Sequence, residues 1–301
     1  MLKDIIEKAV SSNDAEFSAL IRNVLSIQKK ERSDGIVGNL IVNEGLVRIM
    51  QEHKLILVGD LHGDLQSLAV ILQKSKFLDD LSSTIIFLGD YGDRGQESVE
   101  VYHVILYLKL RFSGRVILMR GNHEGPSDMP FYPHDLPEQI IGKFGNVGNS
   151  IYQELRSLFD VMHHGVLLEN SYLILHAGVP TSFSSINDIA TANKTHPKTR
   201  YLEEILWNDP REIKGSEPSG RGYGRYFGKD VTEQALKITN TRALIRAHEP
   251  CNGFKLDHDG LVLTLFSCKA PYGNMEAAFL AINQESYNLN AEGLAKIVEL
   301  I

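Results

Sequence analysis

The sequence has few of the features that mark secreted, membrane or disulfide-rich proteins. It contains only two cysteines among its 301 residues, Cys251 and Cys268, which are too few for a disulfide framework in a chain of this length. It also lacks any run of about 18 apolar residues that could cross a membrane as a helix. Charges such as Lys3 and Asp4 interrupt the N-terminal stretch, which does not fit a secretory signal peptide. We therefore expect a cytoplasmic protein with no membrane partner.

A surplus of basic residues is lacking as well. The chain has 31 Lys and Arg against 38 Asp and Glu, which gives a formal net charge of −7. Because proteins that bind nucleic acids usually carry a basic surplus, we expect no nucleic-acid partner. The composition, with 43% hydrophobic residues and 25 glycines, is that of an ordinary globular enzyme.

The N-terminal part carries no catalytic motif. Apolar residues recur at helical spacing over residues 2–31, and residues 43–53 also fit a helix. We expect residues 1–53 to form a helical segment that packs on a main catalytic domain of residues 54–301.

From residue 54 onward, apolar runs of strand length follow one another. Residues 65–76 and 97–112 show helical spacing and separate the first three runs, which predicts a βαβαβ opening. After about residue 240 the strands are joined by short turns, which predicts a second sheet packed on the first. The fold class is therefore α/β, a central β-sandwich of two mixed sheets flanked by helices, with strands expected at residues 55–59, 84–89, 116–119, 172–178, 242–248 and 261–267.

Residues 208–230 are rich in Gly and Pro and are too many for an ordinary connection. Long ordered loops in compact domains tend to be functional. We expect this loop to contribute to a site.

Polar residues follow the apolar runs at the points where the predicted strands stop. In α/β sheets, ligands bind in the crevice at the carboxyl ends of the strands. We therefore expect these residues to share one site: Asp60, His62, Asp90, Asp93, Arg94, Asn122, His123, His176 and His248.

The residue types at these strand ends suit two divalent metal ions and a phosphate. Mixed carboxylate, imidazole and amide ligands favour Mn, Fe or Zn over Mg or Ca. A central carboxylate can bridge two ions, which together can activate water and bind substrate oxygens. Arginine binds phosphate bidentately, and a histidine beside a carboxylate suits general acid catalysis. The pattern predicts a two-metal phosphoesterase with its metal site at the strand ends.

The motifs GDLHG, GDYGDRG and GNHE, in this order, resemble the signature of the phosphoprotein phosphatases. These are metal-dependent Ser/Thr protein phosphatases of the calcineurin-like metallophosphoesterase superfamily. The resemblance covers roughly residues 54–283 and includes the later segments HAGVP, WNDP, GRGYGRYFG, RAHEP and SCKAPY. The last of these is only similar to the family's form, which leaves substrate preference open.

The resemblance implies a role for each residue. The first metal ion would be bound by Asp60 and His62, and both ions by Asp90. The protein ligands of the second ion would be completed by Asn122, His176 and His248. His123 would protonate the leaving group, and Asp93 would orient His123. The phosphate would be bound by Arg94 and Arg221, although Arg225 lies in the same loop, and Tyr272 would line the mouth of the site.

The implied activity is hydrolysis of phosphoserine and phosphothreonine in proteins by a hydroxide that bridges two divalent ions, Mn or Fe/Zn. Phosphoproteins would be the partners, and the sequence predicts no particular regulatory subunit. One alternative is a dinucleotide polyphosphate hydrolase or another small-molecule phosphoesterase. Such enzymes resemble this chain in the first motif but commonly have Asn in place of Asp93 and Asp in place of Glu124. A second alternative, an inactive binding scaffold, conflicts with the presence of every mapped ligand.

Several further polar residues are expected to have structural roles. Asp64 fits an N-cap of the helix that begins near Leu65, and Glu124 fits a hydrogen-bonding role. Asp209 could be a turn residue or a partner of groups near the substrate pocket. Structural roles are also expected for seven histidines outside the motifs: His53, His103, His134, His163, His164, His196 and His258.

Overall fold

Two mixed β-sheets form the centre of the molecule, as a computed structural model of residues 1–50 and 54–301 describes it. The strands are β1 Ile36–Val37, β2 Leu40–Asn43, β3 Leu46–Ile49, β4 Lys54–Val58, β5 Ser83–Phe87, β6 Val116–Leu118, β7 Gly165–Leu168, β8 Tyr172–Leu175, β9 Asp209–Pro210, β10 Ser216–Pro218, β11 Arg225–Phe227, β12 Ala243–Arg246, β13 Phe254–Asp257, β14 Val262–Leu265, β15 Ala278–Ile282 and β16 Val298–Leu300. The helices are α1 Leu2–Ser11, α2 Asp14–Asp34, α3 Leu65–Ser75, α4 Ser98–Arg111, α5 Leu136–Phe144, α6 Gly148–Phe159, α7 Ile186–Ala190, α8 Ala192–Thr195, α9 Tyr201–Trp207, α10 Lys229–Thr239 and α11 Ala291–Ala295.

The smaller of the two main sheets has the strand order β16-β15-β4-β5-β6, and the larger has the order β1-β2-β3-β7-β8-β12-β14-β13. In the smaller sheet β4, β5 and β6 are parallel and β15 is antiparallel to β4. In the larger sheet β12 is parallel to both β8 and β14. Both sheets are therefore mixed.

The two sheets pack face to face because each has apolar residues on both of its faces. Leu55 and Leu57 of β4 lie in one core with Ile174 of β8 and Ile245 of β12. The intervening residue Ile56 faces a second core, formed with helices α1 to α6. The outer face of the larger sheet packs against α7 to α10. The resulting order of layers, helices on sheet on sheet on helices, confirms the predicted fold class.

The predicted helix at residues 43–53 is wrong. Residues 40–43 and 46–49 form the hairpin of β2 and β3, and β3 continues the larger sheet by pairing in parallel with β7. The alternating burial of Leu40 and Val42 is the period of a strand, and a short apolar segment can imitate a helix. Residues 51–53, including His53 and the expected domain boundary, lie outside the described residues.

The N-terminal helices are found where the sequence predicts them. Helix α2 begins with a capping box in which the side chain of Asn13 accepts from the backbone of Glu16, and Glu16 accepts in return from Asn13. It ends at Gly35, which adopts the left-handed conformation. Phe17 and Ile21 of α2 are fully buried in the core shared with α4.

Residues 208–230 are not a plain loop. They contain a small sheet of order β10-β11-β9. Over residues 1–50 and 54–301, no helix has the length and apolarity that a membrane span requires.

Candidate active site

The predicted ligands come together at the carboxyl ends of strands from both sheets. Asp60 follows β4, Asp90 follows β5 and Asn122 follows β6, whereas His176 and His248 follow β8 and β12 of the other sheet. Asp60 forms an isolated bridge with Phe266, just after β14, and this bridge joins the two sheets at this point. We call the group of seven buried residues at this edge the floor of the site: Asp60, His62, Asp90, Asn122, His123, His176 and His248.

Several of these residues have a backbone conformation that side chains usually avoid. The φ angles of His62, Asp90 and His248 are 43°, 55° and 70°. Left-handed backbone at residues other than glycine is strained and is often found at functional sites. At Gly121 a Cβ atom would lie 2.1 Å from Oδ1 of Asp90, so only glycine allows the β6 loop to approach that carboxylate.

The first group of ligand atoms lies around His62. Its Nε2 is 3.5 Å from Oδ2 of Asp60 and 3.7 Å from Oδ2 of Asp90. Its Nδ1 lies 3.0 Å from the carbonyl oxygen of Gly92. Because a carbonyl can only accept, Nδ1 carries the proton and the Nε2 lone pair faces the carboxylates.

The second group shares Asp90 with the first. Nε2 of His176 lies 3.5 Å from Oδ1 of Asp90, and its Nδ1 donates to the carbonyl of Leu88 at 2.9 Å. The side-chain amide of Asn122 lies 3.1 Å from Nε2 of His176 and 2.9 Å from Nδ1 of His248. Asp90 thus belongs to two clusters of potential ligand atoms, one with His62 and His123 and one with His176 and His248.

The chemistry of these atoms fits two cations. Oδ2 of Asp60 is buried and has no hydrogen-bond donor, and Nε2 of His248 is also without a partner. Burial and the nearby charges of Asp60 and Glu124 raise the pKa of Asp90 well above its ordinary value. Buried carboxylates this close together require compensating positive charge, and mixed oxygen and imidazole ligands suit transition metals.

His123 lies beside the floor carboxylates with its ring held by Asp93. Its Nδ1 donates to Oδ2 of Asp93 at 2.7 Å, and its backbone N–H donates to Oδ1 of Asp90 at 3.0 Å. Burial lowers the pKa of His123 to about 3, against the opposing effect of Asp93. Burial acts to raise the pKa of Asp93, but hydrogen bonds from His123 and His134 hold it well below its ordinary value. The carboxylate therefore stays charged and fixes the imidazole.

The floor opens into a cleft of about 580 Å³ whose lining includes Arg94, Arg221 and Tyr272. Nε of Arg221 donates to Asp209 at 2.8 Å. Arg225 instead donates to Ser216 on β10. Of Arg221 and Arg225, Arg221 is the one that lines the cleft.

Two loops border the cleft and are called the rim. The first rim segment is residues 125–136, of which Phe131 and Tyr132 line the cleft, and the second is residues 208–228, which carries Arg221. The rim is more exposed than the floor, since Tyr132 is 91% exposed.

Two structural roles expected from the sequence are confirmed. Asp64 caps α3 by accepting from the backbone N–H of Ser67 at 2.9 Å. Glu124 accepts from the backbone N–H groups of Asp90 and Gly121, at 2.8 and 3.0 Å, and from the hydroxyl of Tyr102 at 2.6 Å. It holds the β5 and β6 loops together.

Asp209 is buried and contacts residues of the site. It accepts from Arg246 at 2.8 Å and from Arg221 at 2.8 Å, and its Oδ1 lies 3.8 Å from Nε2 of His248. It is therefore a partner of groups in the site.

Most of the histidines outside the motifs have structural contacts, as expected. His164 is buried and its Nε2 lies 2.6 Å from the carbonyl of Ile189, and His258 lies between Thr232 and Arg211. His134 also has a structural contact, but its partner is a predicted site residue, since its Nδ1 lies 3.0 Å from Oδ1 of Asp93. No local motif marks this residue. Its only sequence signal is that it lies shortly after GNHE.

Residues 53–252, more than half of the chain, match the family described as calcineurin-like phosphoesterase. The chain belongs to this family. The phosphoesterase is 31% identical over 231 residues to the serine/threonine-protein phosphatase 4 catalytic subunit of Saccharomyces cerevisiae, which covers 76% of this chain and 73% of that protein. The predicted resemblance is confirmed.

A relative from Encephalitozoon cuniculi, named "Probable serine/threonine-protein phosphatase", is 31% identical over 245 residues. The match covers 80% of this phosphoesterase and 52% of that protein, so the chain spans about half the length of this relative.

Solved structures show the same fold. A protein serine/threonine phosphatase from Saccharomyces cerevisiae has a TM-score of 0.79 at 24% identity. The match covers 100% of this chain and 96% of the yeast chain. A cold-active protein tyrosine phosphatase has a TM-score of 0.56 at 15% identity, covering 82% of this chain and 77% of its own. One fold thus serves phosphatases of different specificity, and specificity has to be argued from the site.

Proposed function

We infer that this phosphoesterase is a metal-dependent phosphatase that hydrolyses phosphoserine and phosphothreonine in proteins. The observation that carries the proposal is the pair of buried ligand clusters that share Asp90 and face one cleft with two arginines. The names of the relatives at about 30% identity support protein phosphatase over dinucleotide hydrolase.

The proposed ligands are Asp60, His62 and Asp90 for one ion, and Asp90, Asn122, His176 and His248 for the other. Mn, Fe or Zn would suit this mixture of carboxylate, amide and imidazole. When bound, two such ions lower the pKa of water and neutralise charge on the phosphate.

The remaining residues act on the substrate directly. Arg94 and Arg221 bind the phosphate oxygens, and Asp209 holds Arg221 toward the cleft. Tyr272, whose hydroxyl lies 3.3 Å from Nε2 of His62, borders the phosphate position. Arginine suits this task because its planar group matches two phosphate oxygens at once.

His123 donates a proton from Nε2 to the departing alcohol oxygen. Burial lowers the pKa of the free ring, so Nε2 has to take up its proton from solvent when the anionic phosphate is bound, because the negative charge of the phosphate favours the imidazolium. Asp93 holds Nδ1–H of the ring, so that Nε2 is the atom turned to the leaving group.

The test is an assay of the purified chain with a phosphoserine peptide, a phosphotyrosine peptide and a dinucleotide tetraphosphate, each with and without Mn²⁺. We expect phosphate release from the phosphoserine peptide that depends on the metal. Preference for the dinucleotide would support the small-molecule hydrolase instead, and no hydrolysis of any substrate with any metal would support the inactive scaffold.

Phosphoproteins are the partners that follow from this proposal, and a cytoplasmic location is proposed with it. The two cysteines are free thiols, which is the usual state in a reducing compartment.

A further inference from the structure

A chain of hydrogen-bonded side chains leads from the cleft through Asp93 to the first rim segment. Nδ1 of His123 lies 2.7 Å from Asp93, and Nδ1 of His134 lies 3.0 and 3.2 Å from the two oxygens of the same carboxylate. Nε2 of His134 lies 2.7 Å from the hydroxyl of Tyr152 on α6. Four side chains are thus connected in series.

The direction of these hydrogen bonds is fixed by Asp93. A carboxylate can only accept, so Nδ1 of His123 and Nδ1 of His134 both carry a proton. His123 therefore keeps Nε2 for the cleft. His134 is 26% exposed, whereas His123 is 4% exposed, so the second imidazole lies on the outer side of the carboxylate, away from the reacting groups.

The backbone of the first rim segment also contacts Asp93. The N–H groups of Asp135 and Leu136 each donate to Oδ1 at 2.8 Å. These two bonds hold one oxygen, while His134 spans both oxygens and so limits rotation of the carboxylate plane. The plane of Asp93 determines where the ring of His123 points.

Ring packing supports the same arrangement. The ring of Phe131 lies 4.0 Å from that of His123 and 4.7 Å from that of His134. Phe131 thus packs against both imidazoles.

We propose that His134 is a positioning residue for the general acid, acting through Asp93 to orient His123. The inference rests on the proposed phosphatase activity. His134 touches neither the substrate position nor the predicted metal ligands. Outer partners that orient metal ligands typically contribute about 10–100-fold to activity. We expect an effect at the lower end of this range for His134, because two backbone donors also hold Asp93.

The test compares two leaving groups. In hydrolysis of a phosphoserine peptide, the serine oxygen leaves as an alkoxide that needs a proton. In hydrolysis of p-nitrophenyl phosphate, the leaving group is a stable phenolate that needs little protonation. In manganese-loaded protein, H134F should lower kcat for the peptide by about 10-fold or more and leave KM and kcat for the aryl phosphate nearly unchanged. H134N, whose amide can still donate to Asp93, should recover part of the loss.

Two further variants separate positioning from folding. Y152F removes a single hydroxyl and should show a smaller loss with the same dependence on the leaving group. H196N is the matched control, since His196 contacts Asp128 of the same rim segment at 3.0 Å and is remote from Asp93; both substrates should react as with the wild type.

Equal loss on both substrates in H134F, or no loss on either, would overturn the proposal. Failure of the proposed function itself would look different, because the wild-type protein would then not hydrolyse the phosphoserine peptide.

Discussion

The floor and the rim of the cleft differ in how they are built. Floor residues follow buried strands, are at most 5% exposed, and several have left-handed backbone. The rim residues lie on two loops, and contacts between residues distant in sequence hold them, such as that of His134 with Asp93, whose carboxylate also accepts from His123 of the floor. Under the proposed function, the floor would supply the metal ligands and the proton donor, and the rim would bind the substrate and orient the side chains that act on it.

If that division is right, a substitution at the centre of the floor should have the largest effect on turnover. Changing Asp90 to Asn removes the carboxylate that two cations can share, because an amide oxygen bridges poorly. Turnover should fall by at least the roughly 10²–10³-fold that loss of a single preorganised electrostatic contact costs, and metal analysis should show impaired occupancy. Two full metal equivalents in D90N would contradict the role of the floor. D128N, at an exposed carboxylate of the rim, is the control.

The next effect concerns the proton donor. H123N should lower kcat for a phosphoserine peptide by about 10²–10⁴-fold, the usual contribution of general acid catalysis. The control is H258N, because His258 is buried but contacts only Thr232 and Arg211. An equal loss of kcat in H123N and H258N in steady-state assays would contradict the assignment of His123 as the proton donor.

A rim substitution should act mainly on substrate binding. R221K replaces a planar group that binds two oxygens with a point charge. Since a hydrogen bond to a charged group contributes about 1.5–3 kcal/mol, KM should rise by roughly 10–100-fold. R225K, in the same loop but bonded to Ser216, should leave KM unchanged. The reverse order of the two KM values would show that Arg225 is the phosphate ligand.

The smallest effect is on stability. Burial and neighbouring charges raise the pKa of Asp90, so without metal its contribution to stability is present below the pKa of an unfolded Asp and is lost as pH rises through the raised folded value. Metal-stripped protein should therefore melt at a lower temperature at pH 8 than at pH 5. Mn²⁺ at 100 times its Kd should restore about 2.7 kcal/mol. The pH difference should shrink in D90N, and an unchanged difference would place its origin elsewhere.

The floor could be predicted from the sequence because each of its residues is tied to a local signal. Asp60, Asp90 and Asn122 come directly after apolar strands, and the carboxyl ends of strands converge by topology. His176 and His248 follow the same rule on the second sheet. Local sequence therefore contains most of the information needed to place them.

The first rim segment could not be predicted in the same way. His134 reaches Asp93 across 41 residues, and nothing around it distinguishes it from a surface histidine. The helix predicted at residues 43–53 is wrong for a related reason. Strand β3 is determined by its pairing with β7, more than a hundred residues away in sequence. Such contacts depend on tertiary packing and not on local periodicity.

Anomalous diffraction from crystals of the manganese-loaded protein tests the central claim most directly. We expect two manganese peaks, one bound by Asp60 and His62 and the other by Asn122, His176 and His248, with the carboxylate of Asp90 between them. A single peak, or peaks that do not contact Asp90, would contradict the account.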